Sequence, residues 1–432
     1  MAQIIPFRGY RYNPDVVPSI TDVAAPPYDR VYPEVQEERL KASAYNIVRI
    51  IKGVAETNDS DGSNVYTRAA QHLESWIGKS ILIRDDEPAL YAYHQTYAFG
   101  GQRLTRRGVI GLGKLEPSKV HAHEKTLRGP REDRLRLMRA TEANFGHIFM
   151  LYNDPERTTE AALGPIVADQ PPLIEAEDAD GNLHQVWRIT DERAIAEVQR
   201  ALRDKDLYIA DGHHRYETAV NFMQECEANG WTPAAEESFG YRMMTLFNVS
   251  EPGMSIRPIF RLVHGIESFE AEAFLRAASE TFDVTQHASF QEMVGATHGG
   301  RAQHTIGCYT HAGFHTLQIK DLLSMDQRIP DRSADYRRLD VSILHAGVLE
   351  PLLGIDAKAL EEQKNVTYTV DAEEGVAAVT RGDEQVFFFL NATAANEVIC
   401  VADHGEKMPQ KSTDFYPKLL TGLVLTKMEI AK

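Results

Sequence analysis

One stretch constrains this chain more than any other. The apolar run Leu207-Tyr208-Ile209-Ala210 stops at Asp211-Gly212, and a new periodicity starts at once. Tyr216, Ala219, Val220 and Met223 recur at i, i+3, i+4 and i+7, the spacing of one helix face, and Asn229-Gly230 supplies a stop. A strand that passes into a helix through a glycine needs a sheet to join and a layer on which to pack the helix. The expected fold class is therefore mixed α/β.

The rest of the chain carries further pieces of the same kind. Residues 90–97 and 103–115 are β-rich and flank Phe99-Gly100-Gly101-Gln102, the turn chemistry of an antiparallel hairpin. Gly108 to Lys114 satisfies G-x-x-x-x-G-K, but Leu115 stands where a P-loop needs Ser or Thr, so the segment reads as the hairpin's return strand. Closely spaced prolines make residues 11–29 irregular. Residues 46–51 read as a strand, and 132–141 and 193–203 as helices. Residues 147–152 read as a strand and 415–426 as a docked helix. At 432 residues the chain is too long for one core. The expected regions are 1–105, 106–251 and, beyond Glu251-Pro252-Gly253, 252–432.

Charge and composition exclude several classes. The net charge of -17 repels a phosphate backbone at long range, which disfavours nucleic acid as a partner. No stretch approaches the roughly 20 apolar residues of a membrane span, and the N-terminus lacks a signal-peptide pattern, so a cytoplasmic protein is expected. Cys226, Cys308 and Cys400 are too few and too scattered for a disulfide framework or a metal knuckle. Oligomeric state stays open, a homodimer included.

Asp211-Gly212-His213-His214-Arg215 is the foremost candidate site. A glycine at the strand end allows a tight turn, the helix N-terminus attracts an anion, and two imidazoles and a guanidinium add donors suited to phosphate oxygens. The bland alternative is that Asp211 only caps the helix. A second candidate runs from His121-Ala122-His123-Glu124 into a basic island. Lys125, Arg128 and Arg131 there are candidate phosphate contacts, unless the arginines pair with acids on neighbouring turns. Glu124, beside His123, suits a general base. Lys411, Ser412 and Thr413 offer an ammonium and two hydroxyls, unless a hydroxyl there caps a helix. His121, His123, His213 and His214 are also a possible zinc set, the basis of an alternative metal-dependent hydrolase.

The chain resembles the DUF1015 family over nearly its whole length. The resemblance shows in Phe7-Arg8, Arg11-Tyr12-Asn13-Pro14, Ala25-Pro26-Pro27-Tyr28-Asp29 and Ser43-Ala44-Tyr45-Asn46-Ile47-Val48-Arg49. It continues in residues 123–135, in 209–219 and in 408–418. The family looks like a remote relative of the ParB/sulfiredoxin superfamily, which includes free serine kinases carrying an H-E pair upstream of a D-G-H-x-R turn. The resemblance thus implies a ParB/sulfiredoxin-like core at 106–251 with α/β regions added at both ends. It also implies phosphoryl transfer from ATP or ADP to a free hydroxy amino acid, with L-serine leading. In that scheme Glu124 is the base, and His213, His214 and Arg215 stabilise charge. His123 and Gly212 contact the nucleotide, and Asp211 orients a histidine or holds Mg2+. A non-catalytic nucleotide switch of ParB type is the further alternative. Where the family usually has Pro-Thr-His-Arg, this chain has Pro258-Ile259-Phe260-Arg261.

Overall fold

A computed structural model describes residues 3–123 and 128–432. The chain is mixed α/β and divides into two units. The first takes the described residues up to 122, those from 128 to 255, and Pro417–Lys432; the second takes His123 and Ile256–Tyr416.

The first unit is built on a nine-stranded sheet. Its strands are β1 (Ile4–Ile5), β2 (Leu90–Phe99), β3 (Gln102–Lys114), β4 (Val120–Ala122) and β5 (Ile148–Tyr152). They continue as β6 (Ile174–Glu177), β7 (Leu183–Ile189), β8 (Leu207–Asp211) and β9 (Tyr241–Asn248). The order is β4-β8-β5-β9-β3-β2-β7-β6, with β1 pairing β3. Every residue of β5 is buried, as expected of a strand covered on both faces. The β2–β3 hairpin forms as its turn residues predict, and residues 108–114 are strand rather than loop. This strand pairs with both β2 and β9, so residues on either side of position 106 share one sheet.

Helices α1 (Arg128–Thr141), α2 (Glu192–Leu202) and α3 (His213–Ala228) bring Leu135, Val198 and Phe222 into one core with Ile148, Met150 and Ile209 from the sheet. α3 packs against α1.

Two expectations fail in this unit. Residues 46–51 form one helical turn, Val48–Ile51, rather than a strand. Asn46 sets it up, accepting from the Val48 amide at 3.0 Å while its own amide group donates to the Asp22 carbonyl at 2.8 Å. Ile47, Val48, Ile50 and Ile51 are all buried, so the run carries no period that separates helix from strand. Residues 415–426 are not a helix either. Beyond Pro417 they form an irregular strap that bridges Ala25 at Thr421 and Tyr10 at Leu425, with Gly422 in the left-handed region at φ 99°. Leu419, Leu423, Val424 and Leu425 are buried, so an apolar run that mimics a helix face is here an extended segment enclosed by its neighbours.

The second unit has a six-stranded sheet of β10 (Phe260–Val263), β11 (Phe282–His287), β12 (Thr305–Thr310), β13 (Gly313–Ile319), β14 (Val366–Thr369) and β15 (Val386–Phe389). Their order is β11-β13-β12-β15-β10-β14. Alternation along β15 sends Phe388 into one core with Val263 and Ile306, and Phe387 and Phe389 into another with Phe260 and Met293. Among the described residues no helix is long and apolar enough to cross a membrane.

Candidate functional site

The strand-to-helix junction of the first unit is shaped by a bulge. Against β5, Ile209 pairs with Met150 and Asp211 with Phe149, so Ala210 is the extra residue, and the shift changes how Asp211 leaves the strand. Gly212 then adopts φ 96°, and α3 starts at His213. A Cβ at 212 would lie 2.9 Å from Arg215 Nε, so the position excludes side chains on two counts, the backbone angle and the space. Having no side chain, Gly212 provides no cap for the helix it opens.

Asp211 does not cap the helix; its partners are two cations. One carboxylate oxygen accepts from Arg215 Nη2 at 2.5 Å and the other from Lys418 Nζ at 2.9 Å. Burial alone would raise its carboxyl, but Lys418 and Arg215, with His213, hold it well below the usual carboxylate range. Because both oxygens already accept from cations, this carboxylate does not fit the role of a magnesium ligand. Arg215 also donates through Nη1 to the His147 carbonyl. His214 is half-buried; burial lowers its imidazole, against the opposing fields of Asp29 and Glu217.

Lys418 was not picked out from sequence as a site residue, and two residues of the hairpin place it. Gln95 donates to the Lys418 carbonyl at 3.0 Å, and Arg106 donates to the Pro417 carbonyl at 2.5 Å and to Gln95 Oε1. The Arg106 guanidinium lies 4.5 Å and 4.7 Å from the ring centres of Phe149 and Phe247. Burial lowers it to about 10.

The basic helix α1 is mostly neutralised. Arg131 pairs with Glu217 of α3 at 3.0 Å, Arg136 with Glu132 at 3.0 Å, and Arg139 with Glu225 at 2.6 Å. Arg131 nevertheless lies close enough to His214 for its charge to lower that imidazole. Arg134 pairs with Asp133, donates to the Ile51 carbonyl, and stands 4.2 Å over the Tyr28 ring. His121 lies 3.4 Å from Asp206 and stacks on Tyr208.

Within the second unit, two candidates that are distant in sequence meet. His123 Nε2 is 3.3 Å from Thr413 Oγ1, and the His123 carbonyl accepts from the Met408 amide at 2.7 Å. Ser412 is buried and donates to the Pro409 carbonyl, while Lys411 is exposed with a left-handed φ of 55°. No helix follows this loop, so neither hydroxyl is a cap; Asp414–Tyr416 is a strand. Arg261 ties the loop down by donating to the carbonyls of Gln410 at 3.3 Å and Lys411 at 3.0 Å. Ile259 and Phe260, at the positions expected to hold Thr and His, are buried, and Phe260 stacks on Phe389 at 4.6 Å. Those two side chains are core.

Glu124 and Lys125 lie outside the described residues, as does the side chain of Arg128. Among the described residues no group of three or more His, Cys, Asp or Glu is arranged to hold a metal ion, so the zinc reading has no cluster there to rest on.

The profile of one family, "Protein of unknown function (DUF1015)", matches residues 4–342. The chain belongs to DUF1015. No curated protein matches it. Among solved structures, this DUF1015 protein is similar to a free serine kinase in complex with AMP, at 12% identity and a TM-score of 0.36, over 74% of this chain and 91% of that one. It is similar to a conserved hypothetical protein from Pyrococcus furiosus at 11% identity and a TM-score of 0.33, over 71% and 90% of the two chains. It is also similar to SbnI of Staphylococcus aureus, with a C-terminal truncation, at 9% identity and a TM-score of 0.35, over 72% and 85%.

Proposed function

We infer that this DUF1015 protein is a small-molecule kinase that transfers a phosphoryl group from ATP or ADP to a free hydroxy amino acid, with L-serine as the leading acceptor. The observation that carries the reading is the Gly212 turn. There a 16-residue helix with no side-chain cap begins beside Arg215, His214 and a buried His213. Such a helix end favours an anion, and guanidinium and imidazole donors match phosphate oxygens. The motif order, His123-Glu124 before Asp211-Gly212-His213-His214-Arg215, supports the kinase version of an anion site.

Phosphoryl transfer through a loose transition state asks the protein mainly for positioning and charge stabilisation. Arg215, with His213 and His214, would stabilise charge on the phosphoryl oxygens. Asp211 orients Arg215 and keeps Lys418 beside the turn. The motif assigns proton removal from the acceptor hydroxyl to Glu124.

The test is incubation with ATP or ADP, Mg2+ and a panel of free amino acids and polyols, with products read by mass spectrometry. O-phosphoserine is the expected product. Nucleotide binding with no phosphorylated product from any acceptor would replace the kinase reading with that of a nucleotide-binding switch. Glu124→Gln should keep nucleotide affinity and lose at least 100-fold in turnover. Arg215→Ala should weaken both.

A further inference from the structure

Arg242 sits in the middle of the first unit's sheet, on β9, only 4% exposed, and no acid among the described residues pairs with it. Its Nη2 donates to the Gly146 carbonyl at 3.1 Å, while Nε and Nη1 make no hydrogen bond among the described residues. The charge whose field reaches it has the same sign: burial first, then Arg215, lowers its guanidinium to about 9. Arg215 is also buried, and its Nε has no hydrogen-bond partner among the described residues. Two guanidiniums brought together out of water, with the carboxylate of Asp211 pairing with Arg215 and Lys418 rather than with Arg242, leave positive charge uncompensated.

Both arginines line one cleft of the first unit, with a cavity volume of about 50 Å³ and an opening to solvent. The Thr218 hydroxyl, buried and without a hydrogen-bond partner, lines the same cleft, as does Thr421. Gly146 keeps the floor open: a Cβ there would come within 3.3 Å of Arg215 Nη1 and 3.4 Å of Thr421 Oγ1. Tyr28 and Arg134, the latter paired with Asp133, also line the cleft, and the rest of the wall is apolar, with Leu137, Met138 and Phe145 prominent in it. Planar donor forks match carboxylate and phosphate oxygens, and an apolar wall favours a ligand with a non-polar portion.

We propose that this cleft is an oxyanion-binding site in which Arg242 and Arg215, assisted by Thr218, take the phosphate or carboxylate group of a small, partly apolar metabolite. The site does not depend on the kinase reading. A protein that binds the anion and transfers no phosphate would retain this proposal and lose that one.

The probes are inorganic phosphate and butyrate, each titrated without nucleotide into the full chain and followed by calorimetry and by thermal unfolding. Wild type should bind at least one of them and unfold at a higher temperature in its presence. Phosphate binding alone assigns phosphate esters; butyrate binding alone assigns carboxylates. Arg242→Met should fold and bind at least tenfold more weakly. Arg242→Lys, which keeps the charge and loses the fork, should lose most of the affinity, and Thr218→Val should lose threefold or more. The proposal is overturned if neither probe binds wild type, or if Arg242→Lys and Thr218→Val both bind as tightly as wild type, whether or not Arg242→Met folds.

Discussion

Two buried arginines, one in each unit, have different surroundings, and the contrast separates scaffold from site. Arg261 in the second unit is 1% exposed and, although its Nε has no hydrogen-bond partner among the described residues, both its Nη groups donate to carbonyls, those of Ile259, Gln410 and Lys411, so it ties a strand to a loop. Arg242 in the first unit is almost as buried, yet it meets one carbonyl, one like charge and a cleft. A buried cation is costly unless its donors are satisfied. Where the protein's own carbonyls satisfy them, the residue is structural. Where they are kept available at the edge of a cavity, the partner comes from outside.

The sharpest way to break this contrast is to remove each cation in turn. Arg261→Met would leave three carbonyls without their donor and should cost about 3 kcal/mol in urea unfolding. Arg242→Met, measured without ligand, should fall within about 1 kcal/mol of wild type or above it, because it deletes an uncompensated charge. Equal losses in the two variants would make both arginines structural.

A smaller effect tests whether positive charge is concentrated around the cleft. His147, whose carbonyl accepts from Arg215, is buried with Nδ1 2.7 Å from the Thr245 hydroxyl and Nε2 3.3 Å from the Val424 carbonyl. A carbonyl only accepts, so Nε2 carries the proton and the ring is neutral. Burial, then the fields of Arg215 and Arg242, lowers the imidazole to about 3. A folded value below the unfolded one gives a contribution that is complete above about pH 6.5 and lost as pH falls toward 3. The slope is about 1.4 kcal/mol per pH unit. The difference in urea stability between wild type and His147→Gln should therefore shrink by about 2 kcal/mol between pH 6.5 and pH 5. A constant difference across that range would show that the ring takes up its proton in the folded state without penalty.

The smallest expected effect belongs to the partly exposed pair at the turn. Lys418→Met removes one of the two cations on Asp211 and should cost about 1 kcal/mol of stability. It should leave Arg242-dependent anion binding in place. A loss of that binding would mean that the turn and the cleft act as one unit.

The parts of this picture that were legible in sequence are those set by neighbours along the chain. The β2–β3 hairpin is announced by Gly100-Gly101, and the β8–α3 junction by Gly212 and the helical period that follows. Residues 46–51 and 415–426 were misread for a shared reason: both are enclosed, so apolar residues face every direction and no period survives. The pairing of Lys418 with Asp211 spans 207 positions and leaves no local trace. Arg242 did leave one, as a single charge at the start of the otherwise buried apolar run Met243-Met244-Thr245-Leu246-Phe247. A cation so placed must find a carbonyl, an acid or a ligand. The basic stretch of α1 looked like a phosphate surface because its partners Glu217 and Glu225 come from another helix.

The first unit is discontinuous, and its last piece, Pro417–Lys432, lies well beyond residue 342, where the family match ends. A gene fragment trimmed to that match would lack the ammonium on Asp211 and the strap over Ala25 and Tyr10. Silence from such a fragment in an activity screen would report an unfinished fold rather than an inert family.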